Sequence, residues 1–391
     1  MIFQTLDDKD ECVAIYRDGK IVSKDFPSDL THTWSWAPYL PDGVDYARIW
    51  VNGATLDEVC PEHLKEEWDE VNQKLRAFYR SFITAKIDLT KHCFFDMVQE
   101  GFLVRFCEVK NKICKWIFEN YERPANHDKI VETLKALNKM KDYPVNLDLE
   151  VIKKERFNKK VLAFSKKIEN WSCKIDYDAF GTVTGRLATT KSSFPIMRLD
   201  KELRKFIKPN NDWFVELDIN AADIRSLFFI LGKDQPPIDI HDWNIQNVFG
   251  KDVDRDLAKK MIFSWLYDLN KTNDKLETVY GRDKIIKEFW IDNHITNPFG
   301  RKIKVSKDNA ISYLVQSTTA DYVLGKLVKI VDLLQGLKTK IAFTIHDSIV
   351  LDLAWEERSI IAKILAIMRE DGFVVSCKTG KDFGDLKELK L

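Results

Sequence analysis

Along the chain, the spacing of apolar positions marks an opening β segment, a helical stretch, and a longer part in which short strands and helices interleave. Near the start, Val13 and Ile15 alternate with their neighbours, an Asp18-Gly19 pair follows, and Ile21 and Val22 resume the pattern. This predicts a hairpin with a two-residue turn. Leu64, Trp68, Val71, Leu75, Phe78 and Phe82 recur every three or four residues, so a helix with one apolar stripe is predicted from Leu56 to about Phe82. Three more helices are predicted over 100–170. One runs through Phe106, Val109, Ile113, Trp116 and Ile117, one follows Asn126 through Ile130, Leu134 and Leu137, and one follows Asp148 through Ile152 to Ile168. Pro124 and Pro144 separate them, and Asn126 and Asp148 suit the N-cap position. Beyond residue 170 a strand is expected over 214–219, then a helix from Ala221 to Leu231. Two more strands, 341–345 and 349–353, are expected to be joined by a tight turn at His346-Asp347-Ser348. No internal repeat is seen, and no apolar run approaches the roughly 18 residues of a membrane span.

Length and composition narrow the class. A chain of 391 residues suggests two or three compact units, and 45% apolar with 31% charged residues excludes wholesale disorder. The seven cysteines are odd in number and form no C-x-x-C pair, so they read as reduced, mostly buried thiols rather than a disulfide framework or zinc ribbon. The start, Met1-Ile2-Phe3-Gln4 followed by Asp7, Asp8, Asp10 and Glu11, has no basic region before an apolar stretch; a cytoplasmic protein with no membrane partner is expected. The net charge of zero hides a polarity. Residues 1–75 carry 7 Lys and Arg against 16 Asp and Glu, and residues 76–391 carry 54 against 45. The basic body suits phosphate backbones. Lys153, Lys154, Arg156, Lys159, Lys160, Lys166 and Lys167 crowd one predicted helix; such a run is ordinarily a solvated face, and here it is also a candidate for phosphate contact.

Two aspartates, Asp218 and Asp347, fall at predicted strand ends 129 residues apart. Taken alone, the spacing fits two unrelated polar caps as well as a two-metal site, in which paired carboxylates hold divalent ions. Between them lies Arg255-Asp256-Leu257-Ala258-Lys259-Lys260-Met261-Ile262-Phe263-Ser264-Trp265-Leu266-Tyr267. On a helix, Arg255, Lys259, Phe263 and Tyr267 form a slowly drifting stripe of two cations and two aromatics. Cations of this kind neutralise a triphosphate, and an aromatic face stacks on a base.

With these residues in place the chain resembles the DNA polymerase I-like family, the family A polymerases. Thr184-Gly185-Arg186-Leu187 looks like the family's T-G-R-L motif, and Asp218-Ile219-Asn220-Ala221-Ala222-Asp223-Ile224-Arg225 resembles motif A, D-Y-S-Q-I-E-L-R. Asp239-Ile240-His241 is similar to the D-I-H segment, and Arg255 to Tyr267 matches motif B, R-x3-K-x3-F-x3-Y. Gly300-Arg301 gives the family's G-R step, Val315-Gln316-Ser317-Thr318-Thr319-Ala320-Asp321 looks like V-Q-G-T-A-A-D, and His346-Asp347 is the core of motif C. Thr379-Gly380-Lys381-Asp382-Phe383-Gly384 resembles the terminal strand and loop. The motifs stand in family order over about 175–391. Residues 100–170 fit a thumb by position and helical content only, and 1–95 match nothing.

The resemblance implies an α+β right-hand fold with an antiparallel palm sheet, short helical fingers and a helical thumb. Its expected domains are a small N-terminal cap or exonuclease remnant at 1–95, thumb at 96–172, palm at 173–234 and 301–391, and fingers at 235–300. It implies template-directed DNA synthesis from dNTPs on a primer–template, without a proofreading exonuclease, in replication or gap filling for a virus or other mobile element; a viral enzyme would work in the host cytoplasm. By the same resemblance Asp218, Asp347 and the carbonyl of Ile219 would hold two Mg²⁺ ions, with Mn²⁺ as a substitute, because such ions prefer hard oxygen ligands. His241, Arg255 and Lys259 would hold the triphosphate, Phe263 and Tyr267 would shape the base-pair pocket, and Asp223 would crowd the ribose 2′ position. Thr184, Arg186, Gln316 and His346 would contact the primer–template, and the N-terminal cap is a candidate dock for a replication accessory protein. Several positions depart from the family. Asp223 stands where Glu is usual, Ser348 follows Asp347 where a third acid is usual, and Asp268 replaces Gly after Tyr267. Only 57 residues separate Lys259 from Gln316, which makes the fingers short. A single-subunit RNA polymerase and a catalytically inactive primer–template binding module are the competing readings; Asp223 with Thr184-Gly185-Arg186 weighs against the first, and the retained acids and cations weigh against the second.

Overall fold

The computed structural model describes every residue except Asp10, 169–172, Lys251, Lys390 and Leu391, so the expected thumb boundary at 172 lies outside the described residues. The chain forms two compact units, Met1–His127 and Asp128–Leu391.

In the first unit, strands β1 (Gln4–Asp8), β2 (Glu11–Arg17) and β3 (Lys20–Val22) make an antiparallel sheet. Arg17 faces Lys20 across the expected turn, and Asp18 and Gly19 both take positive φ, 48° and 79°. That backbone matches the twist of the flanking strands. The helix expected from Leu56 is divided. A short turn, Leu56–Val59, stops at Cys60, and α1 (Glu62–Thr84) starts afresh after Pro61, whose own conformation is extended. Proline disfavours helical backbone in the residue before it, so the apolar stripe carries on while the helix does not. Helix α2 (Glu100–Asn120) buries Val109, Ile113, Cys114 and Ile117 with Leu64, Trp68 and Val71 of α1. Its Leu103 and Cys107 share a second cluster with Leu6, Ala14 and Tyr16 of the sheet. Two apolar faces therefore tie α2 to the first unit, although its sequence lies in the stretch expected as thumb.

Helix α3 (His127–Lys141) lies in the second unit from Asp128 onward. The next expected helix is again two pieces, Leu149–Lys154 and Lys159–Ile168. The Asp148 side chain caps the first by accepting from the Val151 amide, as expected. Asn158 ends the interruption, its side-chain oxygen accepting from the Lys160 amide, a local bond that competes with helix continuation.

Five strands form the main sheet: β4 (Trp213–Ile219), β5 (Lys340–Ile345), β6 (Ser348–Leu353), β7 (Val375–Gly380) and β8 (Lys387–Glu388). Their order is β5-β6-β4-β7-β8 and every pairing is antiparallel, so the unit is α+β as expected. All six positions of β6 are buried. The register places Asp218 of β4 opposite Ser348 of β6, directly beside the turn that carries Asp347. Around the sheet stand α4 (Ala222–Ile230), α5 (Arg255–Tyr267) and the long α6 (Lys307–Leu333). The first half of α6 packs Ala310, Ile311, Leu314 and Val315 with Ile224, Leu227, Ile262 and Leu266. Its second half packs Tyr322, Val323, Leu327 and Ile330 with the sheet residues Leu217, Ile349 and Leu351. One helix thus joins the core under α4 and α5 to the core behind the sheet.

All seven cysteines are free, but only Cys107, Cys114 and Cys377 are buried and Cys173 is exposed. The expectation of mostly buried thiols fails, since Cys12, Cys60 and Cys93 are only partly buried. Among the described residues no helix is long and apolar enough to cross a membrane. Leu351 is fully buried in β6 between β5 and β4; Leu351→Ala is expected to cost about 2–5 kcal/mol, read as a lower midpoint of urea unfolding.

Candidate active site

Asp218 is the penultimate residue of β4, and Asp347 lies in the two-residue turn between β5 and β6. The backbone around them is unusual. His346, just before Asp347, has φ 53°, and Ala221, three residues after Asp218, has φ 44° at the start of α4. Non-glycine residues held in the left-handed region cost free energy and occur where the surrounding structure fixes them. Both carboxyls are disturbed by their surroundings. Burial, then the charge of Asp347, then that of Glu216 push the Asp218 carboxyl up to about 7, against the pull of Lys378. Asp347 is raised as well, first by burial and then by the charge of Asp223, while His346 and Arg186 oppose the shift.

Asp223, in the first turn of α4, gathers donors from three other segments. Arg186 Nη2 donates to its Oδ1 at 3.0 Å and Oδ2 at 3.3 Å, Tyr267 Oη donates to Oδ2 at 2.9 Å, and Thr319 Oγ1 donates to Oδ1 at 3.1 Å. Thr319 also shares a 2.8 Å hydrogen bond with Ser226. This joins Arg186 of the T-G-R-L-like motif, Tyr267 of α5 and the Thr318-Thr319 step of α6 to one carboxylate. Thr319 replaces an alanine of the related motif and Asp223 replaces a longer glutamate, so the added hydroxyl meets the shortened acid. Gln316 lies one turn before Thr319 on α6, where its amide donates to Ser312 Oγ at 3.1 Å and neighbours the Tyr267 hydroxyl.

A second cluster lies at the other end of α5. Asp239 caps the short helix Ile240–Asn244, its Oδ1 accepting from the amides of His241 and Asp242. Its Oδ2 accepts from Arg255 at 2.8 Å and from Asn220 at 2.7 Å. Burial works against the charge on Asp239, but these hydrogen bonds win and hold the carboxyl well below the usual carboxylate range. Behind it the fully buried Arg225 donates to the carbonyls of Asn220, Pro236 and Ile238 and so fixes the loop that delivers Asp239. His241 is 3% exposed, and its Nδ1 has no hydrogen-bond partner among the described residues. Burial first, and then the nearby Arg255 and Lys259, lower its pKa against the pull of Asp239. The His241 ring lies 6.3 Å from Phe263, and Phe263 stacks on Tyr267 at 5.9 Å. The α5 stripe is therefore continuous from Arg255 to Tyr267, with Arg255 and Lys259 exposed and the two rings half-buried.

Arg186, Gly185, Ala320, Val323 and His346 line one small cleft. Gly185 has φ +79°, and a Cβ there would stand 2.5 Å from the guanidinium carbon of Arg301. Arg301 is itself clamped by Asp321 at 2.6 Å, with both side chains nearly buried. The glycine of the first motif, the G-R step and the last acid of the α6 motif thus form one packed unit beneath Arg186. Thr184 is buried. Sequence reasoning missed Thr319, Asn220, Arg225 and the Glu216–Lys378 pair at 3.6 Å. The signal for Glu216 is its place two residues before Asp218 on a strand, which puts both side chains on one face.

No family model matches the chain. DNA polymerase I of Borreliella burgdorferi (strain ATCC 35210 / DSM 4680 / CIP 102532 / B31) is 27% identical over 118 residues, which are 28% of this chain. The match covers 12% of that protein's length. Among solved structures, the POL domain of Pol1 from M. smegmatis, in complex with DNA primer-template and dNTP, superposes with a TM-score of 0.53 at 10% identity. That match covers 73% of this chain and 76% of the other. The fold is that of a polymerase domain. The likeness to the DNA polymerase I-like family, first seen in short motifs, thus extends to the backbone of a polymerase domain.

This geometry sets two measurable expectations. Gly185→Ala is expected to cost more than the roughly 1–2 kcal/mol of a left-handed alanine, because the buried Arg301–Asp321 pair cannot retreat; thermal melting measures it. Asp218 binds its proton more tightly in the folded chain, so it favours folding below its ordinary value of 3.8 and loses that contribution as pH rises toward about 7. The melting temperature of metal-free protein is expected to fall across that interval, and Asp218→Asn is expected to shrink the fall.

Proposed function

We propose that the chain is a template-directed DNA polymerase that joins dNTPs to a primer 3′-hydroxyl. The observation that carries this reading is the pair Asp218 and Asp347, which the β4–β6 register brings to one end of the sheet, where burial and the charge of Asp347 raise Asp218. The polymerase fold and the solved relative's bound primer-template and dNTP support the substrate class. In this reading the sheet is the palm, the segment 235–300 forms short fingers, and the second-unit helices ahead of the sheet, α3, Leu149–Lys154 and Lys159–Ile168, supply the thumb, which leaves α2 of the expected 96–172 thumb with the first unit.

Among the described residues no three His, Cys, Asp or Glu side chains assemble as a metal cluster. Two carboxylates and a nearby backbone carbonyl nevertheless suit Mg²⁺, which takes hard oxygen ligands and keeps several waters. Asp218, Asp347 and the carbonyl of Ile219 would hold the ions. When bound, two such ions stabilise the attacking and leaving oxygens of an in-line displacement at phosphorus.

The chain's own residues do the rest by position and charge. Arg255, now paired with Asp239, would turn to the triphosphate together with Lys259. His241, whose buried Nδ1 has no hydrogen-bond partner among the described residues, would donate one ring N–H to a phosphate oxygen. Phe263 and Tyr267 would form the wall against which the new base pair packs. Asp223, fixed by three donors, would stand where a ribose 2′-hydroxyl must fit, and the clamp from Thr319 and Arg186 restrains a carboxylate one methylene shorter than the related glutamate. Arg186, Gln316, Thr184 and His346 would lie along the primer–template, where minor-groove acceptors are nearly independent of sequence.

Extension of a labelled primer tests this reading. Wild type is expected to add dNTPs with Mg²⁺, and Asp347→Ala to lose activity by at least about a hundredfold, the scale expected when a group that stabilises developing charge is removed. Equal activity of the two proteins, or inactivity of wild type with both Mg²⁺ and Mn²⁺, rejects it. Preferential use of rNTPs would point instead to an RNA polymerase.

A further inference from the structure

The strongest feature outside this site is the turn between the helices Leu149–Lys154 and Lys159–Ile168. Phe157, at its tip, is 98% exposed. Nothing of its own chain covers the ring, whereas an aromatic side chain normally buries most of its area in a core or an interface. The surroundings are strongly basic. Residues 149–168 carry seven Lys and Arg against two Glu, a net +5, while all of residues 76–391 amount to +9. Lys153, Lys154, Arg156 and Lys159 are exposed on both sides of the ring. Some local charge is already answered: Lys160 pairs with Asp200 and Glu202, and Glu155 is taken by Lys205. That second pairing removes one of the only two acids of the segment from competition for the exposed cations.

We infer that this turn is a nucleic-acid contact at which Phe157 stacks on an unpaired base while Arg156 and its neighbouring lysines hold the flanking phosphates. A ring presented on a tip meets a base face only where the base is unstacked from its own neighbours, so the favoured ligand is a single strand rather than a closed duplex. An acidic protein surface would engage the cations but give no face for the ring. The inference rests on the polymerase reading only for the presence of nucleic acid and adds a single-strand contact apart from the site described above; its test needs neither catalysis nor metal.

Binding of labelled oligo-dT and of a blunt duplex is measured against KCl concentration by fluorescence anisotropy. Phe157→Ala is expected to weaken oligo-dT binding by about 5- to 100-fold, the range found for loss of one base–aromatic stack, with the salt slope and the melting temperature unchanged. Phe157→Trp is expected to keep the affinity. The double variant Arg156→Ser, Lys159→Ser is expected to lower the salt slope by about 1.4, at ~0.7 per single-strand phosphate contact. Unchanged oligo-dT binding by Phe157→Ala overturns the inference. So does an equal loss on the blunt duplex, or a Phe157-dependent binding to anionic phosphatidylserine vesicles with none to oligo-dT. A protein inactive in primer extension whose oligo-dT binding still falls with Phe157→Ala would sink the enzymatic reading and leave this contact standing.

Discussion

The pairing of β4 with β6 is the constraint on which the rest depends. It brings an acid from residue 218 and an acid from residue 347 to one end of a strand pair, where burial raises the proton affinity of both and the charge of Asp347 raises that of Asp218 further. A sheet interior holds such a pair rigidly, because a slip of one residue would send every side chain of β6 to the opposite face.

Around this pair the polar groups are arranged as clamps. Asp223 is held by Arg186, Tyr267 and Thr319, Asp239 by Arg255 and Asn220, and Asp321 by Arg301. Each clamp joins elements distant in sequence, and two of them include a cation that the proposed reaction would redirect to phosphate or to DNA. On the polymerase reading, substrate binding therefore exchanges internal ion pairs for external ones, which lowers the desolvation needed at the moment of binding. The buried Arg225, which donates to backbone carbonyls rather than to a carboxylate, belongs to the scaffold that keeps Asp239 in place.

The departures from family pattern take on a different meaning once packed. The shorter acid at 223 and the threonine at 319 are unremarkable as separate substitutions; in the fold they touch, and one compensates the reach of the other. The acid missing after Asp347 is matched by negative charge from Glu216 on the neighbouring strand, tempered by Lys378. The charge around Asp218 is thereby restored from another direction, although Glu216 is partly engaged by its lysine.

Local pattern alone determined the Asp18-Gly19 hairpin, the strands ending at Asp218 and flanking Asp347, the stripe from Arg255 to Tyr267 and the cap at Asp148, since each depends on contacts within a few residues. Periodicity ran across breaks at Pro61 and at 155–158, because an apolar stripe records which face is buried and is blind to one extended residue in the backbone. The order of the five strands, the allegiance of helix Glu100–Asn120 to the first unit, and the meeting of Arg186, Asp223, Tyr267 and Thr319 were decided only by the tertiary structure. The hydrogen bonds to Asp223 span 37 to 96 residues of sequence, and no spacing rule links side chains across such loops. What brings them together is the packing of α4 and α5 on the first half of α6, whose second half is buried against the sheet.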